Sequence, residues 1–386
     1  LQFSKEVMRP TALHIEDSIL ILKEDMDEHI LHMYNVNTGE KVNTSISFGN
    51  GPGEFLHIQQ IQSSDSLLWL SDAQRPFISA YRKKDILFSD TISPTAIKEV
   101  MLPDLFGNIV ILPNHHFMTT AYNSTQKRLS FYDSEGKFIE TKGEYPEYGE
   151  ILTPFEKIEG LSCYATLSPD KNGIFLFYKQ TDLIELYDIY GNLKKRIQGP
   201  DLFFPVIKQT IQDESVHVNS VSGQSRDAYF SPLSINGRVY VLYSGIYFNR
   251  ENHKYLKDQL FVFDDKGNPL QRYTLDSPIF TFTINPTTNK LYGLSDNPEF
   301  HVIKRNMGKK IIGVIAFAAI AAAGWNYQQN KNEVQLSDLA LENVEALAWD
   351  ENKSNYHLFP CPSSSGNECR FKDSERPECY GPTYCR

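Results

Sequence analysis

The 386 residues carry 48 acidic and 38 basic side chains, for a formal net charge of -10, with 41% hydrophobic and 22% charged residues. That balance allows a large buried core but leaves no basic field to neutralise phosphates, which argues against nucleic acid as a partner and disfavours anionic membrane surfaces. The 21 Tyr and 24 Phe fall in short runs with Val, Ile and Leu, the composition of half-buried pleated strands, so an all-β fold is expected.

Along the chain, six segments repeat one pattern: a hydrophobic strand ending in an aromatic residue or Ile, generally followed by a polar or Gly turn. Their anchors are Tyr34, Tyr81, Tyr132, Tyr187, Phe263 and Ile303, at intervals of 47, 51, 55, 76 and 40 residues. These intervals suit a four-stranded blade, with one insertion in the fifth unit, and six units over residues 1–306 predict a six-bladed β-propeller. A second apolar run precedes each anchor, as in ILILKED before Tyr34 and IFLFYKQ before Tyr187, so an antiparallel hairpin recurs in every unit. Leu167-Ser168-Pro169 with Asn172 and Phe175 lies over Ile284-Asn285-Pro286 with Asn289 and Tyr292 at a constant offset. There the Pro ends an inner strand, and the Asn is expected to take the left-handed backbone of the turn.

The stretch Phe48-Gly49-Asn50-Gly51-Pro52-Gly53-Glu54-Phe55, with Gln59 and Ile61 following, reads as a tight crossing between blades. No Lys-Ser or Lys-Thr follows it, so it is not a phosphate loop. Together with the six units, this stretch resembles the TolB-like six-bladed propeller lipoproteins of Bacteroides-type bacteria. The resemblance implies export and a lipid tether to the envelope, facing the periplasm or the cell surface. It supplies no reaction, since most members have no assigned function. Neither a signal nor a lipid-bearing Cys precedes Leu1, so a processed or trimmed form is expected, with membrane attachment only through an anchor missing from this chain.

At Met307 a second pattern begins. Lys309-Lys310 is a basic start, Ile311 to Ala323 is an apolar run, and Ala321-Ala322-Ala323 before Gly324 is a small-residue cleavage pattern. Residues 307–323 therefore read as a secretory signal peptide, too short to cross a bilayer comfortably. Leu336, Ala340, Val344 and Leu347 share one helical face within 324–348, with Ser337 as a cap. The string Asn343-Val344-Glu345-Ala346-Leu347-Ala348 resembles the motif of the NVEALA family of small secreted proteins, a resemblance that spans 307–386. Residues 324–348 are thus a short amphipathic helix or a leader removed after Ala348, and Ala323 and Ala348 are the candidate processing points. An internal signal peptide makes Met307 look like the start of a second polypeptide, joined by natural fusion, readthrough or artificial concatenation.

Cys361, Cys369, Cys379 and Cys385 crowd the tail 349–386, which is too poor in apolar residues to hold a core. In an oxidising compartment they suit two disulfides, with three pairings open; zinc is the rival, weakened by the absence of a CxxC pair. Cys163 stands alone in the first 306 residues and is expected to be a small buried hydrophobe. No G-x-S-x-G, H-E-x-x-H, Walker or Rossmann motif is present. His115 and His116 adjoin, but on a strand they would point to opposite faces. Six-bladed propellers include calcium-dependent lactonases whose ion is held in the central channel by Glu, Asn and Asp. Glu54, Asp170 and Asn285 are the corresponding candidates for Ca2+, each with a competing turn role. The expectation is a binding or scaffolding propeller, with no recognised catalytic motif, for a peptide, glycan or partner protein, the linked NVEALA segment among them. The alternative is a calcium-dependent hydrolase of the lactonase type.

Overall fold

The computed structural model describes residues 9–25, 27–88, 93–121, 127–148, 152–212, 215–250, 256–296, 300–307, 318–321, 356–360 and 367–371. By contacts the chain divides into two units, Leu1–Val334 and Gln335–Arg386.

The first unit is a ring of six antiparallel sheets, each a meander in sequence order. Blade 1 holds β1 (Pro10–Glu16), β2 (Ile19–Glu24), β3 (His29–Asn35) and β4 (Lys41–Ser47), and blade 2 holds β5 (Ile58–Ser63), β6 (Leu67–Asp72), β7 (Phe77–Arg82) and, after helix α1 (Lys83–Phe88), β8 (Lys98–Met101). Blade 3 is β9 (Phe106–Ile111), β10 (Phe117–Ala121), β11 (Leu129–Tyr132) and β12 (Phe138–Lys142). Helix α2 (Pro154–Gly160) leads to blade 4, which is β13 (Cys163–Leu167), β14 (Gly173–Tyr178), β15 (Leu183–Asp188) and β16 (Leu193–Gln198). A separate hairpin, β17 (Ile207–Gln212) with β18 (Ser215–Ser220), fills the crossing to blade 5 and accounts for part of the long interval of 76 residues before the fifth anchor. Blade 5 is β19 (Tyr229–Ile235), β20 (Arg238–Tyr243), β21 (Lys257–Phe263) and β22 (Pro269–Ile279); blade 6 shows three strands among the described residues, β23 (Thr281–Asn285), β24 (Lys290–Ser295) and β25 (His301–Asn306).

All six anchors fall on the third strand of their blade, and the apolar runs before them are the second strands. A middle strand of a blade is covered on both faces by the neighbouring blades, so β2 and β14 are buried at every position rather than alternately. The fourth strands face outward, and β12 is largely exposed. Six apolar clusters follow, one at each blade junction. The last joins Leu13, Leu20 and Leu22 of blade 1 to Tyr292, Leu294 and Val302 of blade 6, which closes the ring.

Several expectations change. His115 and His116 lie in the β9–β10 turn rather than on a strand, because Pro113 and Asn114 end the pairing; His115 has φ 60° and packs edge-on against Trp69. In the β23–β24 turn Asn289 takes the left-handed conformation as expected, but in the matching β13–β14 turn the left-handed residue is Lys171, not Asn172. Met307 packs into the cluster between blades 5 and 6, and its N–H donates to Asn289 O, so the propeller core runs one residue past the expected boundary. From the apolar run 311–323 the described residues form a strand, β26 (Ala318–Ala321), on the free edge of β16. An outer blade edge offers unpaired backbone groups that any extended segment can satisfy.

In the second unit the described residues form one hairpin, β27 (Tyr356–Pro360) with β28 (Asn367–Phe371). Ala323, the 324–348 segment with Ala348, and Cys361, Cys379 and Cys385 lie outside the described residues, as does the side chain of Cys369. Among the described residues no helix is long and apolar enough to cross a membrane.

Candidate functional site

The first strand of every blade lines the central channel, and all six run in the same sense, so their N-terminal ends gather at one mouth. Adjacent inner strands diverge too far to share a ladder, and the channel-side backbone groups must be satisfied otherwise. The sequence IQQIQS of β5 supplies the means. Gln59 Nε2 donates to Gly107 O (2.6 Å), Gln60 Oε1 accepts from Ile109 N–H (3.0 Å), and Gln62 bonds both the N–H and the C=O of Ile111 (3.0 and 2.9 Å). Asn108 repeats the device one blade on, donating to Cys163 O (2.7 Å). These amides lock blades 2, 3 and 4 together around the channel.

Two cavities open at this mouth. One of about 460 Å³ follows the inner strands down the channel, and one of about 590 Å³ lies beside it under α2 and the β17–β18 hairpin; Gln59, Gly107, Asn108 and Lys179 line both, so they form one funnel. The apolar wall includes Tyr164, Phe230 and Phe280 in the channel and Phe106 and Phe155 in the side cavity. Helix α2 is set by Thr153, whose side chain caps Glu156 N–H while Glu156 returns to Thr153 N–H. The rim beyond it is held by the buried Asp182 carboxylate, which accepts N–H bonds from Asp201, Leu202 and Phe203 (2.7, 2.6 and 3.2 Å).

Cations outnumber acids on the funnel wall of an acidic protein: Lys23, Arg128 and Lys179 line it, against Glu159 at the α2 rim. Lys23 is almost fully buried and donates to Ile58 O (2.7 Å) while paired with Asp25 (3.0 Å); burial lowers its pKa against the pull of that carboxylate. Lys179 stands 4.6 Å from the Tyr164 ring centroid and has no carboxylate partner among the described residues. Arg128 is 1% exposed and lies between blades 3 and 4, its guanidinium about 5 Å from the Tyr145 and Tyr178 rings and donating to Cys163 Sγ (2.7 Å). Its Nε has no hydrogen-bond partner among the described residues. Cys163 is thus buried but not merely apolar; burial pushes its thiol up, against the opposing pull of Arg128 and Lys179. Behind this pair, Glu185 accepts from Tyr178 (2.6 Å), Tyr187 (2.9 Å) and Arg196 Nε (2.7 Å).

The sequence candidates for a metal are not brought together. Glu54 sits in the blade 1 to blade 2 crossing, where its carboxylate accepts Gly51 N–H (2.7 Å). Gly53 there has φ +75°, and a Cβ at Gly49 would stand 2.0 Å from Glu54 Oε2, which explains both glycines. Asp170 and Asn285 lie at the other mouth. Asp170 accepts from Ser168 and Asn172, and Asn285 bonds Asp17 O and accepts from Thr287 and Thr288 N–H. No group of three potential metal-ligating side chains occurs among the described residues. Sequence reasoning missed Arg128, Lys179 and Lys23; for the two lysines the signal was a charged residue at the end of an otherwise fully apolar second strand, or just past it, as in ILILKE and GIFLFYK, whereas Arg128, just before β11, carried none.

Residues 3–287 match the family model described as TolB-like 6-blade propeller-like. Similar solved structures include a DUF4221-family member from Bacteroides vulgatus (8% identity, TM-score 0.48, covering 78% of this chain and 94% of that one). An exported protein from Bacteroides fragilis is similar at 13% identity (TM-score 0.44, 77% and 82% covered), and virginiamycin B lyase from Staphylococcus aureus at 13% (TM-score 0.39, 80% and 88%). Among curated proteins none matches. With six meander blades in a closed ring and a family match over most of its length, the chain belongs to the TolB-like six-bladed propeller family.

Proposed function

We propose that this chain is a binding or scaffolding propeller of the bacterial envelope, in the periplasm or at the cell surface, whose N-terminal mouth seats a peptide, glycan or partner protein. The observation that carries the reading is the funnel: two joined cavities that present aromatic faces, amide groups and cations at the meeting point of the inner strands. A concave, largely preformed apolar site with a few convergent polar groups is the usual form of a ligand seat. The rival reading as a calcium-dependent hydrolase draws no support from the placement of its candidates, since Glu54 lies toward one mouth and Asp170 and Asn285 toward the other, each engaged in a turn. A lipid tether, export, and assignment of residues 307–386 to the NVEALA family belong to the same proposal, with the linked segment as one candidate partner.

The test uses the full chain on peptide and glycan arrays, beside Tyr164→Ala and Phe230→Ala, which remove half-buried channel walls; Phe230 also packs against the cluster between blades 5 and 6, so melting temperature is recorded for both variants. Ligands held by the unaltered chain should be lost by both variants. Retention by both would refute the funnel as the seat.

A further inference from the structure

The funnel's charge points to a narrower ligand class than its shape does. The chain is strongly acidic, yet three cations line this one concavity, Lys23 and Lys179 in the channel and Arg128 and Lys179 in the side cavity, against one lining carboxylate, the exposed Glu159 of α2. Lys23 is neutralised by Asp25, but Lys179 has no carboxylate partner among the described residues, and Arg128 is compensated only by a thiol, two aromatic faces and the more distant Glu185. A guanidinium this deeply buried normally meets a carboxylate or phosphate in bidentate contact, because its donors are otherwise left short of acceptors. Here Arg128 Nε is short of one, and the residue lines the larger cavity. Low-dielectric walls around Lys179 and Arg128 focus their field on the space between them.

We propose that this seat selects carboxylate-bearing peptides, with Lys179 as the accessible charge and Arg128 as the positive floor of the side cavity. This rests on the funnel being the ligand seat. The chain itself contains a peptide of that chemistry: between Glu333 and Glu351 it carries Glu333, Asp338, Glu342, Glu345, Asp350 and Glu351 and no Lys or Arg. Aromatic faces at Tyr164 and Phe230 would take the apolar residues that alternate with those acids, as the Leu and Ala positions around Glu342 do. The stretch Glu333–Glu351 is therefore the first ligand to try.

The full chain, with those six acids changed to the matching amides so that it cannot compete, is titrated calorimetrically with a synthetic peptide of residues 333–351. A second peptide with amides in place of the six acids, and inorganic phosphate alone, serve as the other arms. Binding of the acidic peptide, at least tenfold weaker binding of the amide peptide, and a drop in affinity between 50 and 300 mM salt are expected on general grounds. Lys179→Glu should cost tenfold or more and Lys179→Gln less, with melting temperature recorded for both; if Lys179→Glu does not fold, the Lys179→Gln loss and the salt slope decide. Equal binding of the two peptides, indifference to Lys179, or no binding of either overturns carboxylate selection. Equal binding that is lost in Tyr164→Ala would leave the funnel standing as the seat, so the two failures are distinguishable. Saturation by phosphate alone at the same concentration would also overturn selection for a peptide.

Discussion

Blades 3 and 4 meet differently from blades 6 and 1. The former junction buries Glu185 hydrogen-bonded to Arg196, Tyr178 and Tyr187, with Arg128 against the Tyr178 ring and bonded to Cys163, whereas the latter is packed almost wholly by Leu, Ile, Val and aromatic side chains. Among the described residues, polar links across the closing seam include Asn285 to Asp17 O and Lys304 to Val36 O, both aimed at backbone carbonyls. An apolar seam tolerates small shifts and serves only to close the ring. A buried charged junction is worth little net stability but permits few alternative arrangements, which suits the wall that positions Arg128 and Cys163 beside a ligand cavity.

That contrast can be broken by substitution. The largest effect is expected for Glu185→Ala, which takes the buried acceptor from Arg196 Nε and two tyrosine hydroxyls and removes a carboxylate that acts on Arg128; a loss of about 3–5 kcal/mol in urea denaturation is expected. At the seam, Leu22→Ala should cost about 2–5 kcal/mol, yet the volume-conserving Leu22→Met under about 1.5 kcal/mol. Glu185→Gln, equally conservative in volume, should be much less well tolerated, and similar costs for the two swaps would erase the distinction.

Glu16, at the end of β1, offers a pH test where blade 1 meets blade 2. Burial pushes its carboxyl up, but His14 at 2.7 Å, with Ser63 and Lys83, holds it down to about 2 from 4.5. A carboxyl lowered on folding adds stability above its unfolded pKa and loses it as pH falls toward its folded one. The wild-type chain should therefore lose up to about 3 kcal/mol relative to Glu16→Gln between pH 4.5 and 2, read from denaturation midpoints across that range. The smallest effect is expected for Gly53→Ala, about 1–2 kcal/mol from its left-handed φ alone, since nothing stands where its Cβ would go.

Much of the architecture could be read from the chain. The anchors Tyr34 to Ile303 reveal the blades because the third strand carries an aromatic or Ile into each blade junction, at a spacing set by the four-stranded meander. The Phe48–Phe55 crossing was equally legible, since its glycines answer to the Glu54 carboxylate. The site was not. Glu185 in LIELYD looks like an outward-facing polar residue of an alternating strand, and only the burial of both faces of a middle strand makes it an interior acid in need of partners. Arg128, next to the half-buried Lys127, reads as a surface turn until blade 4 packs over it. Cys163 was identifiable as buried, but its guanidinium neighbour is 35 residues away in sequence and on another blade. The His115-His116 pair misled in the opposite direction, because adjacency suggested a strand where Pro113 and Asn114 make a turn.

The most direct measurement is amine-reactive footprinting of the full chain, its own six acids between 333 and 351 changed to amides so that it cannot compete, with and without the acidic 333–351 peptide. Lys179 at the funnel should be protected from acylation, while Lys171 and Lys194, exposed toward the opposite mouth, label as before. Unchanged labelling of Lys179 at saturating peptide, or protection confined to Lys171 and Lys194, would contradict the account.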